Sequence, residues 1–261
     1  MRRPLLVPLL LTACVGFHPR DAEWRRAPAA PVADGIDPVV ALLHREAESW
    51  RDLGQSHEQR ALRVRRIGHG PRRVLWIGGI HGDEAEGALA TAELPMALAR
   101  EPGAFERVTL TVLEDLNPDG RAHVTRGNAR GIDLNRNYPA KNFVPGPTFG
   151  ERPLDQPEAQ ALHDLVLAEQ PHLVIVAHSW RRDHFINFDG PAERLAELFA
   201  SRSAFRVKPS DKIAPTPGSL GSWIGRTLGV PILTLEYERG SDPLADWLAT
   251  RDAIVAVILQ A

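Results

Sequence analysis

The chain of 261 residues has one cysteine, Cys14. This excludes an intramolecular disulfide and a thiolate zinc site. It also lacks a surplus of positive charge: 31 Lys and Arg stand against 33 Asp and Glu. No basic face is therefore offered to phosphate backbones, and nucleic acid is not expected as a partner. Internal repeats and coiled-coil heptads are missing as well. The opening apolar run, Leu5 to Leu11, is too short to cross a bilayer. Tyrosine is scarce, with only Tyr138 and Tyr237. What the chain does have is 43% hydrophobic residues, enough for one large core and a single domain of catalytic size.

The start, "MRRPLLVPLLLTACVGF", reads as a charged segment (Arg2, Arg3), a short apolar segment and small residues before the cysteine. "LTAC" resembles the bacterial lipobox, which implies that Cys14 is lipidated and becomes the mature N-terminus. The competing reading is an ordinary secretory signal with a chance cysteine. Several acyl chains on one cysteine suffice for stable anchoring. The expected division is a lipoprotein signal peptide over 1–14, a Pro- and Ala-rich flexible tether over 15–36, and a catalytic domain over 37–261. On this reading the membrane is a partner through the lipid anchor. The domain then lies at the cell envelope, facing the periplasm or the exterior. No protein partner is evident from the sequence.

A helix is expected from Asp37 through "PVVALLHREAESWRDL". "ALRVRRIGHGPRRVLWIGG" reads as two strands around a turn at Gly68 to Pro71, and "RVTLTVLEDLN", "HLVIVAHSW" and "VPILTLEYE" read as further strands. Helical stretches such as "QPEAQALHDLVLAEQ" and "GPAERLAELFASR" lie between them. Alternation of this kind predicts a single α/β domain with a mixed, mostly parallel sheet flanked by helices on both faces. In such sheets, sites form beyond the carboxyl ends of strands. His81 and Glu84 follow one strand end, while His178 and Glu236 end two others.

His81 and Glu84, at i and i+3, can face one ion on a turn of helical pitch. Alone, such a pair is most often a feature of a surface helix. A lone strand-end histidine such as His178 is likewise most often a satisfied core residue. "NPDGRAHVTRGNARGIDLNRNYP", Asn117 to Pro139, changes that balance. It opens with a turn built of favoured turn residues. Arg126, Arg130 and Arg136 then alternate with Asn128, Asn135 and Asn137, which makes either a solvated loop or a surface that binds carboxylates and oxyanions.

With "HGDE", "NPDG", "DLNRNYP", "HSW" and the "PLDQPEAQAL" segment around Glu158 in this order, the sequence resembles the M14-type zinc carboxypeptidases over about Val74 to Glu238. The resemblance implies one zinc ion held by His81, Glu84 and His178, and Glu236 as general base. It implies Arg126 as the group polarising the scissile carbonyl, and Asn135 with Arg136 as the holders of a substrate carboxylate. Glu86 and Glu238 read as ordinary surface charges, and Glu236 could instead form an ion pair with Arg239. His123, His172 and His184 read as structural or exposed, with His184 the substitute should His178 fail as a ligand.

Digestive members of that family carry a mobile tyrosine in the segment before the base, and here neither tyrosine lies there. Trp180 also follows "HS", where they have a tyrosine. "PTPGSLGSW" before "GVPILTLE" resembles the murein peptide amidases, which cut the γ-D-glutamyl to meso-diaminopimelate bond; read plainly, it is a Pro/Gly loop before a helix starting near Ser222. The implied substrate is a peptide, most specifically a peptidoglycan stem peptide. General removal of C-terminal L-amino acids, or deacylation like that of succinylglutamate desuccinylases and aspartoacylases, stands as the alternative. A non-catalytic protein that binds cell-wall peptides is a further one.

Overall fold

The computed structural model describes residues 50–210, 213 and 216–261. The signal peptide, Cys14, the tether and residues 37–49 of the expected first helix lie outside the described residues. The end of that helix is corrected: Arg51–Gln55 form a strand, β1, paired antiparallel with β2 (Ala61–Ile67). A run this short fits a half-buried edge strand as well as a helical turn, and pairing decides between them.

The remaining strands are β3 (Arg72–Ile77), β4 (Val108–Leu113), β5 (Leu173–Trp180), β6 (Phe185–Asp189), β7 (Arg206–Pro209) and β8 (Ile232–Glu238). Between and after them run helices α1 (Ala88–Ala99), α2 (Ala104–Arg107), α3 (Pro118–His123), α4 (Pro157–Glu169), α5 (Glu193–Ala200) and α6 (Pro243–Gln260). All eight strands form one sheet in the order β1-β2-β4-β3-β5-β8-β6-β7. The central β4, β3, β5 and β8 are parallel, as is β6 with β7, while β1–β2, β2–β4 and β6–β8 are antiparallel. The expected mixed α/β sheet is therefore present. β2 and β3 do flank the Gly68–Pro71 turn, but β4 lies between them. Burial explains this: β3 is apolar on both faces and needs a strand on either side, whereas β2 alternates and suits a position near the edge.

Side-chain alternation divides the core into two layers. Val74, Trp76, Leu110, Ile175, Leu233 and Leu235 pack with α1, α5 and α6 on one face. Leu75, Ile77, Val174, Val176 and Ile232 pack on the other, against Leu162, Leu165 and Val166 of α4, with Tyr138 and Trp223. Trp76 Nε1 donates to Thr91 Oγ1 at 2.8 Å, fixing α1 against β3 while satisfying the indole in the core. α6 begins cleanly, since Asp242 accepts from the Leu244 amide and Pro243 stands at the first helical position. No element is among the expectations from sequence for that segment.

Candidate metal and active site

Continuing the alternation to the strand ends puts His178 on the same face as Val174 and Val176, and Glu236 on that of Ile232. The parallel register sets His178 directly beside Glu236. The third contribution comes from the loop after β3. This loop can lie against the start of α3 because Gly82 lacks a side chain: a Cβ there would fall 1.9 Å from the Gly120 carbonyl carbon. Asn117 is fully buried at that contact. Its Oδ1 accepts from the Gly120 amide, and its Nδ2 donates to the carbonyls of Ile80 and Arg126. The "NPDG" turn is thus the clamp that holds the His81 loop.

His81, Glu84 and His178 are all buried, with ligand atoms within 4.8 Å of one another. His178 Nδ1 is 2.9 Å from Glu84 Oε2, and the two imidazole centroids are 4.7 Å apart. His81 Nδ1 is 3.1 Å from Glu84 Oε1 but out of hydrogen-bond geometry, so this buried nitrogen has no hydrogen-bond partner. An orphan of that kind is costly unless something else satisfies it. Two imidazoles and a carboxylate around such a gap are a donor set that fits zinc.

Supporting groups fix each of the three. Asp133 Oδ1 is 3.0 Å from His81 Nε2, and Asp133 Oδ2 accepts from Arg126 Nε at 3.0 Å. Asn135, in the 3₁₀ turn Leu134–Arg136, places Nδ2 3.2 Å from His178 Nε2 and accepts from the Leu220 amide at 2.9 Å. The Ser179 amide donates to Glu84 Oε2 at 3.0 Å. Arg126 Nη1 reaches Glu84 Oε1 at 2.9 Å.

Burial opposes ionisation of Glu84, but the His178 hydrogen bond and the adjacent His81 ring outweigh it and hold the carboxyl far below its usual range. Asp133 behaves alike: burial is outweighed by His81 and Arg126. Burial also pushes His81 down, yet Asp133 and Glu84 raise it overall, whereas His178 is lowered because burial dominates. Glu236 is the reverse of Glu84. Burial, then the negative charge of Glu84, push it up to about 8.

The structure therefore gathers His81, Glu84, His178, Glu236, Arg126, Asn135 and Arg136 along one cleft of about 100 Å³. Arg136 donates to the Asn135 carbonyl at 2.7 Å and forms no ion pair among the described residues. The other histidines fall elsewhere. His123 pairs with Glu58, His172 Nδ1 accepts from the Arg73 amide, and the His184 ring lies against Phe205. Glu236 makes no ion pair with Arg239, which turns to Asp83 at 3.0 Å and Glu84 at 3.4 Å. The reading of Glu86 as a surface charge is corrected. It is buried, accepting from Ser179 Oγ and from the Gly240 amide, because two donors beside the His178 strand end draw it inward.

Three supporting residues have no role foreseeable from sequence: Asp133, Glu86 and Arg121, which donates to Asp115 and to the Glu84 carbonyl. Asp133 alone had a local signal, since it stands two residues before Asn135. Cavity size does not find the site. A larger hollow of about 1110 Å³ lies at the opposite edge, near the starts of β5 and β8.

A family profile described as zinc carboxypeptidase matches residues 41–212, a stretch that ends before Glu236. Murein peptide amidase A of Escherichia coli (strain K12) is 32% identical over 181 residues, covering 62% of this chain and 70% of that protein. A crystal structure of murein-tripeptide amidase from Escherichia coli O157 superposes with a TM-score of 0.66 at 26% identity, covering 81% of this chain and 92% of that one. Thrombin activatable fibrinolysis inhibitor shares the fold at a TM-score of 0.69 and 17% identity, over 85% of this chain and 70% of its own. Fold, family profile and relatives agree, and the chain belongs to the M14 zinc carboxypeptidase family of peptidases and amidases.

Proposed function

We propose that this enzyme is a zinc-dependent hydrolase that cleaves an amide bond next to a residue with a free carboxylate, and that its substrate is the γ-D-glutamyl to meso-diaminopimelate bond of peptidoglycan stem peptides. The observation that carries the chemistry is the buried His81–Glu84–His178 cluster with its orphaned nitrogen, set beside Glu236 by strand register. Support for the bond comes from the relatives named as murein peptide amidases and from the "PTPGSLGSW" segment.

The three residues of the cluster would hold the ion, and bound zinc supplies Lewis acidity toward water and the scissile carbonyl. Glu236 takes the proton of the attacking water. Its raised pKa in the metal-free site falls when a cation arrives nearby, which leaves it ionised and able to act as base. It then returns the proton to the leaving amine. Arg126 faces the carbonyl oxygen as charge develops there. Arg136 and Asn135 bind the substrate carboxylate, where a planar guanidinium without a carboxylate partner among the described residues is suited to bidentate contact. Asp133 holds the His81 ring so that Nδ1 points into the cluster.

Incubation of the zinc-loaded chain with L-Ala-γ-D-Glu-meso-diaminopimelate, and separately with ordinary L-peptides, tests this reading by mass spectrometry. Release of diaminopimelate alone is the expected result. Trimming of the L-peptides instead would make it a general carboxypeptidase, and turnover of N-acyl amino acids alone would make it a deacylase. We propose further, from "LTAC", that Cys14 carries the lipid that places the enzyme at the envelope. Unchanged detergent-phase partition of a Cys14→Ala variant would remove the anchor.

A further inference from the structure

Arg126 reaches the metal cluster from a loop, and 46% of its side chain is exposed. Its placement therefore depends on the backbone it extends from. One side of that backbone is held by Asn117, whose Nδ2 donates to the Arg126 carbonyl at 3.2 Å. The other side is held by Asn128, which is buried. Asn128 Oδ1 accepts from the amides of Arg130 at 3.0 Å and Ile132 at 3.1 Å, and its carbonyl accepts from the Gly131 amide at 2.8 Å. The Asn128 amide in turn donates to the Ile132 carbonyl at 2.9 Å. Gly127 lets this small loop close on itself, since a Cβ there would fall 2.7 Å from the Gly131 carbonyl carbon. The loop from 126 to 132 is thus folded around one asparagine side chain.

That asparagine is fixed from behind by the start of α4. Asn128 Nδ2 donates to Glu158 Oε2 at 3.1 Å and to Gln156 Oε1 at 2.9 Å. Glu158 Oε1 accepts from the amide of His57, in the turn between β1 and β2, at 3.2 Å. The same turn is pinned by Asp119 of "NPDG", which accepts from Ser56 Oγ at 2.7 Å and from the Glu58 amide at 3.0 Å. Glu158 is fully buried, lies outside the cleft and forms no ion pair among the described residues. A glutamate in the first turn of a helix is ordinarily explained by the helix dipole, which an exposed carboxyl serves equally well. Full burial is almost never found for glutamate without close partners. Here the partners are two neutral donors, 101 and 30 residues away in sequence.

We propose that Glu158 is a positioning residue for Arg126: it locks Asn128, Asn128 shapes the loop from 126 to 132, and that loop sets where the Arg126 guanidinium stands. The inference rests on the reading of Arg126 as the group that faces the scissile carbonyl, and it carries that reading to a residue outside the cleft. Asp133, next in the chain, is held independently. Its amide donates to the Thr148 carbonyl at 2.8 Å, and its Oδ1 accepts from the Asn135 amide at 2.9 Å. The grip on His81 therefore survives loss of the lock, and the effect falls on Arg126.

Glu158→Gln keeps the size of the side chain but sets its new amide group against either the His57 amide or Asn128 Nδ2, donor against donor. In the full chain carrying it, the amides of Arg130 and Ile132 should exchange with deuterium at least about 10-fold faster, a readout that needs no turnover. With zinc loaded, and on whichever peptide the enzyme turns over, kcat should fall about 10- to 100-fold, up to the cost of a misplacement of about 1 Å. KM and zinc content should stay as in wild type, because the displaced group acts only in the transition state. A double-mutant cycle separates positioning from stability: in an Arg126→Ala background, Glu158→Gln should cost nothing further. Losses that multiply would overturn the proposal, as would unchanged exchange at Arg130 and Ile132. Should Glu158→Gln fail to fold, Asn128→Asp breaks the same link, keeps the acceptor bonds inside the loop and carries the same expected split between kcat and KM. If Arg126→Ala itself retains full kcat, the role given to Arg126 fails instead, and exchange at Arg130 and Ile132 still decides whether Glu158 holds the loop.

Discussion

The two edges of one sheet make opposite use of charge. At the carboxyl edge, His81, Glu84 and His178 are buried around a cleft of about 100 Å³. At the amino edge, a hollow about ten times larger is lined by Arg100, Arg107, Arg194, Arg202 and Arg251, the first four exposed, above Leu195, Leu198, Val255 and Leu259. An exposed arginine keeps its water and is worth little to the fold. A buried histidine or carboxylate has given up its water and depends on its neighbours, so removing one partner leaves another uncompensated. Chemistry in this molecule therefore follows the burial of polar groups rather than the size of the hollow.

The sharpest way to break that contrast is His81→Ala, which should abolish both zinc binding and hydrolysis. Stoichiometric zinc by elemental analysis in that variant would contradict the assigned ligands. Glu236→Gln should retain zinc yet lose about 10²- to 10⁴-fold in kcat, the contribution of a positioned general base. Full activity would remove Glu236 from the mechanism while leaving the metal cluster intact. Asp133→Asn, which weakens the grip on His81 without touching the cluster, should cost about 10- to 100-fold in metal affinity, read by competition with a chelator.

A pH titration of the metal-free protein sharpens the contrast further. The carboxyl of Glu236 is raised in the fold from 4.5 to about 8, so the folded state retains its proton longer than the unfolded chain does. That contribution is fully present below pH 4.5 and is lost as pH rises towards 8. The melting temperature of wild type should fall relative to Glu236→Gln across that window, and added zinc should flatten the difference. A pH-independent difference would mean that the carboxyl is not held protonated. The smallest effect belongs to the amino edge. Arg194→Ala combined with Arg202→Ala should alter stability by no more than about 0.5 kcal/mol in a denaturant titration and leave kcat/KM unchanged.

The parts of the site that the sequence disclosed were those that end a strand or share a turn. His81 with Glu84, His178 and Glu236 follow apolar strand runs, so their edge of the sheet could be anticipated from position alone. Asn135 and Arg136 were legible as members of a motif. Glu86 was not, because its burial depends on Ser179 and Gly240, 93 and 154 residues away. Asp133 was missed for the same reason, since its role exists only once His81 is beside it, 52 residues distant in sequence. The fold shows a similar division. Strands buried on both faces could be recognised from composition, while β1 could not be told from a helical turn until β2 paired with it.

By itself the sequence determined the alternation of the central strands with helices, the apolar cover on both faces of the sheet and the set of residues able to hold a metal, because each depends on local periodicity and residue chemistry. Only the tertiary structure decided that β4 lies between β2 and β3, that His178 stands beside Glu236, and that Gly82 lies against Gly120. Those are questions of register and close approach between distant segments, and they are settled by which side chains can be buried together at the same time.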